Sequence, residues 1–170
     1  MANKSTILII DDEKDIRESL SEILLDEGYE TYLAADANEA RKLIKQENNI
    51  DIILLDIWMP DCDGITLLKE LKVSQKLKQP IIMMSGHGTI DTAIEATKNG
   101  AFDFIEKPIS LHKVLKVLND AINESIDFNT ISIEFLKNKK DKEFFDLFKK
   151  LDNKENHQFF KTNCKEALYF

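Results

Sequence analysis

Residues that could handle a metal ion and a phosphate follow four of the short apolar runs in this sequence. They are Asp11, Asp12, Glu13, Asp56, Ser85 and Lys107. Carboxylates held together repel one another, and a hard divalent cation with oxygen ligands relieves that repulsion. A lysine and a hydroxyl can donate to phosphoryl oxygens, and a carboxylate can attack phosphorus to form an aspartyl phosphate. These residue types therefore indicate Mg²⁺-assisted phosphoryl chemistry, with Asp56 as the nucleophile candidate.

The elements that must position these residues alternate along the chain. The predicted strands are residues 6–10, 31–35, 51–55, 80–84 and 102–105, and the predicted helices are residues 15–28, 36–46, 64–73, 88–99 and 110–124. The first, third and fourth strands are apolar throughout, which is typical of parallel strands covered on both faces. Five βα units in succession predict a doubly wound α/β sheet. Ligands bind such sheets at the carboxyl ends of the strands, where the six residues fall.

The first helix carries a clear apolar stripe. Ile16, Leu20, Ile23 and Leu24 recur at helical spacing, so we expect them to face the core. Gly28 follows as a residue suited to ending the helix.

Each candidate residue also has an ordinary structural interpretation. A single Asp after a strand commonly makes a turn or caps a helix. A lone Ser is most often a loop hydroxyl, and a lone Lys is usually a solvated surface charge. The functional interpretation depends on their joint placement at one predicted edge of the sheet.

Four motifs, in this order, resemble the receiver domain of bacterial two-component response regulators. They are "LIIDDE" (8–13), "LLDIWMPDCDGITLL" (54–68), "IIMMSGHG" (81–88) and "NGAFDFIEKP" (99–108). The resemblance implies a CheY-like, flavodoxin-like fold, with a five-stranded parallel sheet in the order 2-1-3-4-5. We expect this domain over residues 1–124, followed at 125–170 by a partly helical extension with no recognised output domain.

The same resemblance implies a role for each residue of the proposed centre. Asp56 is similar to the phospho-acceptor of the family, and Asp11 and Asp12 to the acidic pair that organises Mg²⁺. The backbone carbonyl of Trp58 matches a further metal ligand. Lys107 matches the lysine that contacts the phosphoryl group.

Further residues match positions that transmit or tune the signal. Ser85 and Phe104 resemble the switch serine and switch aromatic, which in this family turn inward together after phosphorylation. Glu13 is similar to a third acid beside the metal pair. Trp58 and His87 occupy positions that tune the lifetime of the phosphoryl group, although local packing and a solvent-facing loop would explain them equally well.

Within the family the motifs look most like the nitrogen-regulation class, NtrC/NtrX. We therefore expect a phosphorylation-dependent signalling switch linked to transcription rather than an enzyme. A sensor histidine kinase would be its phosphodonor, and partner binding or homodimerisation its response. One alternative is a metal-dependent aspartyl-phosphate hydrolase, although such enzymes use Asp-x-Asp where this chain has adjacent Asp11 and Asp12. The other is an interaction module that works through its tail without phosphate.

Composition and charge bear on nucleic-acid binding, membrane insertion and cellular location. The net charge is −8, and residues 1–126 carry 14 basic against 23 acidic side chains, which argues against direct nucleic-acid binding. No apolar run reaches the roughly 18 residues that span a bilayer. Cys62 and Cys164 are far apart and read as reduced thiols, so we expect a soluble cytoplasmic protein without a membrane partner.

The C-terminal segment has a composition of its own. Residues 127–170 hold 9 of the 14 aromatic residues and lack a nucleotide-binding Gly-x-x-x-x-Gly-Lys-Ser/Thr loop. Phe144, Leu147, Phe148 and Leu151 lie at helical spacing, which predicts a helix over residues 140–151. Its apolar stripe could pack internally or dock a second copy or a partner. His157 lacks the surroundings typical of a phosphotransfer histidine.

Overall fold

The computed structural model describes residues 4–74, 77–86 and 90–137, and strands and helices alternate along them. The strands are β1 (Thr6–Ile10), β2 (Glu30–Ala34), β3 (Ile52–Asp56), β4 (Ile81–Ser85) and β5 (Asp103–Glu106). The helices are α1 (Lys14–Asp26), α2 (Ala37–Gln46), α3 (Gly64–Lys69), α4 (Ile90–Lys98) and α5 (Leu111–Lys137), and a π-helical turn, Glu70–Ser74, continues α3. Every predicted strand agrees with its observed counterpart to within one residue.

The described strands form one parallel sheet in the order β2-β1-β3-β4-β5. This is the predicted doubly wound fold and strand order, which the structure confirms. The central strand, β3, pairs with β1 on one side and β4 on the other. Asp56 is therefore the last residue of a strand with neighbours on both sides.

Two apolar clusters cover the faces of the sheet. Alternate residues of each strand point to opposite faces, so in β1 Leu8 joins one cluster and Ile9 the other. The first cluster includes residues of α2, α3 and α4, and the second includes residues of α1 and α5. All five residues of β1, β3 and β4 are buried, which confirms the prediction of strands covered on both faces.

The core face of α1 differs in one respect from the predicted stripe. Leu20 and Leu24 are buried as predicted, but Ile23 is 36% exposed. Ser21 is buried instead, and its Oγ lies 2.7 Å from Oγ1 of Thr31 on β2. The buried face is thus rotated toward Ser21, because a hydroxyl pair across the helix and strand satisfies two polar groups there.

Two glycines follow helices in the left-handed region. Gly28 after α1 has φ +90° and Gly100 after α4 has φ +92°. A side chain at either position would strain the backbone, since only glycine adopts this region freely. Gly28 therefore ends α1 as predicted.

A paired ion bridge joins α2 to the turn that follows α3. The predicted helix over 64–73 is an α-helix to Lys69 and then the π-helical turn. Arg41 of α2 reaches Glu70 at the start of this turn, with Nε 2.9 Å from Oε1 and Nη2 2.7 Å from Oε2. Planar guanidinium and carboxylate groups match in this arrangement, which makes it stronger than a single surface contact.

Contacts within the chain divide it into two units, Met1–Ser125 and Ile126–Phe170. The helix predicted over 110–124 begins at Leu111 and continues to Lys137. The helix predicted over 140–151, together with His157 and Cys164, lies outside the described residues. Among the helices that are described, none is long and apolar enough to cross a membrane.

Candidate phosphoryl and metal site

Four charged side chains meet at the carboxyl edge of the sheet. Lys107 Nζ lies 2.8 Å from Asp11 Oδ2 and 2.8 Å from Asp56 Oδ1. It also lies 3.6 Å from Glu13 Oε1. Asp11 is fully buried, Asp56 is 2% exposed, and the side chain of Lys107 is 12% exposed. The structure thus brings together four of the residues that the sequence placed at one edge.

The loop after β1 holds the acidic pair. Asp11 N–H donates to the carbonyl oxygen of Ala34 at 3.2 Å, which extends the pairing of β1 with β2 by one residue. Asp11 Oδ1 accepts from the backbone N–H of Glu13 at 3.0 Å. Asp12 points outward and is exposed. Asp11 is therefore fixed at the edge of the sheet, and Asp12 lies next to it in contact with solvent.

The environment shifts the pKa values of the central pair. Burial raises the pKa of the Asp56 carboxyl above its ordinary value. The Lys107 ammonium lowers it, the Asp11 charge raises it, and the Trp58 N–H lowers it, but burial outweighs the lowering contributions. For Lys107 burial by itself lowers the pKa, yet Asp11 and Asp56 together outweigh burial and leave it raised. Lys107 is therefore a firmly charged ammonium between two carboxylates.

The donor set fits a hard divalent cation. One carboxylate oxygen from each of Asp11, Asp12 and Asp56 lies within 4.8 Å of the others. Asp11 Oδ2 and Asp56 Oδ1 are in ion-pair range of Lys107, but neither receives a well-directed hydrogen bond from the described residues. Buried carboxylate oxygens without such bonds retain the capacity to coordinate, and Mg²⁺ prefers oxygen ligands. The three carboxylates therefore suit Mg²⁺.

The loop after β3 packs tightly beneath Asp56. Ile57 N–H donates to the carbonyl oxygen of Met84 at 2.9 Å, and Gly64 N–H donates to that of Ile57 at 2.8 Å. A Cβ on Gly64 would overlap the Asp56 carbonyl oxygen and lie 2.8 Å from Ile57 Cα. Trp58 follows with its side chain 61% exposed. Only glycine at position 64 lets the turn into α3 approach the Asp56 backbone this closely.

The two predicted switch residues lie on neighbouring strands. Ser85 is fully buried at the end of β4, and its carbonyl oxygen accepts from Lys107 N–H at 2.7 Å. Phe104 of β5 is half-buried against the first apolar cluster and pairs in register with Met83. His87 lies outside the described residues.

Two residues of this region went unrecognised in the sequence. Arg17 of α1 donates through Nη1 to the carbonyl oxygens of Asp11 at 2.6 Å and Asp12 at 2.9 Å. Nothing in its spacing marks it among the other charges of the helix. Gly64 enters the sequence prediction only as the first residue of the helix over 64–73, since its proximity to Asp56 depends on the path of the whole loop.

Comparison with known proteins agrees with this geometry. The family described as response regulator receiver domain matches residues 7–119. A response regulator of Rickettsia bellii described as NtrX-like is 42% identical over 117 residues, which cover 68% of this chain and 24% of that relative. The nitrogen assimilation regulatory protein NtrX of Azorhizobium caulinodans is 42% identical over 118 residues, covering 68% of this chain and 26% of that protein. The chain thus spans about a quarter of the length of these curated relatives.

A solved receiver domain agrees as well. The NtrC4 receiver, described as a beryllofluoride-activated dimer, superimposes with a TM-score of 0.66 at 40% sequence identity. The match covers 71% of this chain and 98% of that domain. The family interpretation of the four motifs is therefore confirmed. This chain belongs to the response regulator receiver domain family of two-component systems, and it is similar to NtrX and NtrC regulators.

Proposed function

We propose that Asp56 accepts a phosphoryl group from a sensor histidine kinase, with Mg²⁺ held by Asp11, Asp12, Asp56 and the backbone carbonyl of Trp58. The observation that carries this proposal is the position of Lys107. Its ammonium lies 2.8 Å from a carboxylate oxygen of Asp11 and 2.8 Å from one of Asp56. Two buried carboxylates beside one buried ammonium leave one negative charge uncompensated, which a bound cation would neutralise.

The phosphotransfer step follows from this arrangement. A carboxylate oxygen of Asp56 forms a bond to phosphorus, and the phosphorus–nitrogen bond of the kinase phosphohistidine breaks. The electron pair of that bond leaves on the imidazole nitrogen. Lys107, held firmly charged between the two acids, donates to the transferred group and offsets its charge. Mg²⁺ held by these carboxylates would further neutralise the phosphoryl oxygens. Glu13, 3.6 Å from the Lys107 ammonium, would help to orient it.

The added charge is the signal. A phosphoryl group brings about −1.5 to −2 charges, which new hydrogen bonds must satisfy. The Ser85 hydroxyl at the end of β4 and Lys107 are the donors we assign to it. Phe104, half-buried against the first apolar cluster on the adjoining strand, is the residue that we expect to change its packing as these donors move. Trp58 and His87 are proposed to tune the lifetime of the phosphoryl group.

The response of the protein is a change in partner binding or in homodimerisation. The related NtrC4 receiver, described as a beryllofluoride-activated dimer, supports the second form. The name of the Azorhizobium relative supports a link to nitrogen-related regulation of transcription. We place the receiver at residues 1–124 and treat residues 125–170 as an extension. No observation on the described residues favours the hydrolase over this proposal, and most of the tail that the second alternative invokes lies outside those residues.

Intact-mass spectrometry with a small phosphodonor tests the proposal. The chain should gain the mass of one phosphoryl group when acetyl phosphate and Mg²⁺ are present, and peptide mapping should place it on Asp56. Adding a chelator before the donor should prevent the gain, because the three carboxylates then lack their counter-ion. No gain with Mg²⁺, or a gain mapped to another residue, would overturn the assignment. Steady turnover of small phosphate esters would favour the hydrolase instead.

Replacing Lys107 by Met should strengthen Mg²⁺ binding while weakening phosphorylation. The ammonium lies 2.8 Å from one oxygen each of Asp11 and Asp56, two of the proposed ligands. An ammonium and a divalent cation that share the same carboxylates repel each other, so the ammonium opposes binding of the ion. We expect Mg²⁺ affinity to rise on the order of tenfold, which corresponds to about 1.4 kcal/mol. Calorimetric titration of Mg²⁺ measures the change.

The control for this variant is Lys69→Met. Lys69 pairs with Glu95 on the surface between α3 and α4, and both side chains are about half exposed. Mg²⁺ affinity should be unchanged in this control. Weaker Mg²⁺ binding in Lys107→Met would show that Lys107 organises the carboxylates more than it repels the ion.

A further inference from the structure

We infer that Arg17 is a positioning residue for the Mg²⁺ site, one that fixes the backbone from which Asp11 and Asp12 project. The inference rests on the proposed function, because it assumes that these acids hold the ion. It adds a residue outside the carboxylates, the lysine and the switch pair. Its basis is the geometry of the loop between β1 and α1.

One nitrogen of Arg17 holds two successive peptide groups. Nη1 lies 2.6 Å from the carbonyl oxygen of Asp11 and 2.9 Å from that of Asp12. Helix α1 begins at Lys14, so both carbonyls lie before its first turn and have no place in its hydrogen-bond ladder. A charged donor makes shorter and stronger hydrogen bonds than a neutral one. The guanidinium therefore fixes the orientation of the two peptides that carry the acidic side chains.

The two acids depend on Arg17 to different degrees. Asp11 is also held by Ala34 through its N–H and by the Glu13 N–H through Oδ1. Asp12 is exposed, and among the described residues its hydrogen bond to Arg17 is the contact that fixes it. Loss of Arg17 would therefore free Asp12 first. A ligand that must be ordered by the ion itself binds the ion less tightly, because the ordering entropy is then lost on binding.

The positive charge of Arg17 and its hydrogen bonds to the loop predict opposite changes in Mg²⁺ affinity when Arg17 is replaced. As a cation, Arg17 repels Mg²⁺, so its removal would strengthen binding if charge decided the outcome. As a holder of the loop it strengthens binding, so its removal would weaken it. Arg17 is partly exposed, which screens its charge, whereas its hydrogen bonds fix the backbone that carries the two proposed ligands. We expect position to outweigh charge.

Mg²⁺ titration of the full chain, followed by calorimetry and by Trp58 fluorescence, tests the inference. Trp58 is the one tryptophan of the chain and lies two residues after Asp56. Arg17→Met keeps a long side chain without donors, and its Mg²⁺ dissociation constant should rise roughly tenfold or more, the usual effect of losing a residue that supports metal ligands. Arg17→Lys should restore most of the affinity, because a single ammonium can donate to both carbonyls as Nη1 does.

The matched control is Arg41→Met. Arg41 makes a stronger paired bridge, to Glu70, but does so away from the acidic loop. Its Mg²⁺ dissociation constant should equal that of the unmodified chain even if its melting temperature falls. Unchanged or tighter Mg²⁺ binding in Arg17→Met overturns the inference, as does a lower melting temperature without any change in Mg²⁺ affinity.

A further comparison separates this inference from the proposed function. The unmodified chain could bind no Mg²⁺, or could bind it with an affinity that Asp12→Asn does not lower. In either case both the metal site and the role of Arg17 are wrong. If Asp12→Asn weakens binding and Arg17→Met does not, the metal site stands and Arg17 has only a structural role.

Discussion

Asp56→Asn should gain no phosphoryl group under conditions in which the unmodified chain is fully phosphorylated. The amide is nearly the same size as the carboxylate, so the buried end of β3 should keep its packing. Its oxygen can still lie beside Lys107, but an amide lacks the negative charge that attacks phosphorus. The expected effect is complete loss, measured by intact mass after incubation with acetyl phosphate and Mg²⁺.

Asp61→Asn serves as the control for this loss. Asp61 lies in the same loop, five residues further along, and its Oδ2 accepts from Ala37 N–H at 3.0 Å. An asparagine oxygen can accept the same bond, so this variant changes a charge near the site without removing the contact. It should be phosphorylated like the unmodified chain. Equal phosphorylation of Asp56→Asn and Asp61→Asn would rule out Asp56 as the acceptor.

Gly64→Ala should damage both folding and phosphorylation. The new Cβ would overlap the Asp56 carbonyl oxygen and would lie 3.0 Å from the Asp56 carbonyl carbon. These are backbone atoms, which cannot rotate away as a side chain could, so the loop or the strand end must move. We expect the free energy of unfolding to fall by about 3 kcal/mol, near the upper range for inserting atoms into a packed site. The phosphorylation rate should also fall, since a displacement of about 1 Å can slow a reaction on the order of 100-fold.

Gly86→Ala is the matched glycine substitution. Among the described residues, the nearest atom to a Cβ at Gly86 is Lys107 Cδ at 4.0 Å, an ordinary contact with a flexible side chain. Its free energy of unfolding, from urea denaturation, should stay within about 0.5 kcal/mol of the unmodified chain. If Gly64→Ala were as stable as Gly86→Ala, the approach of α3 to the Asp56 backbone would not matter to the fold.

Much of the fold was predictable because its signals are local. The runs "TILII", "DIILL" and "PIIMM" are apolar on both alternating faces, and a strand with two apolar faces has to be buried on both. Parallel strands end at a common edge, so Asp11, Asp56 and Lys107 could be placed near one another without coordinates. The Lys107 ammonium contacts both carboxylates because this topology brings the ends of the three strands together.

The remaining features depend on contacts between distant residues. Ile23 fits the helical stripe as well as Leu24 does, and only the packing against β2 shows that Ser21 takes its place in the core. The π-helical turn after α3 likewise has no signature in "ELKVS". Gly64 and Arg17 act through backbone atoms of other residues, and a sequence pattern records side chains only. For this reason the sequence predicts the residues of the proposed centre but not the residues that hold them in place.

Because β3 lies in the centre of the sheet, the strands that carry the site differ in how easily they open locally. β1, β3 and β4 are buried along their whole length, whereas the outer strands β2 and β5 are partly exposed. Local opening is easiest where backbone and side chains are exposed to water. The strand that resists opening, β3, therefore ends at Asp56, and the strand that opens more easily, β5, ends beside Lys107. We therefore expect β3 not to yield when the charge changes at Asp56, the proposed acceptor. Of the two partly exposed strands, β5 leads into Lys107, so we expect β5 and the segment that follows it to take up the displacement.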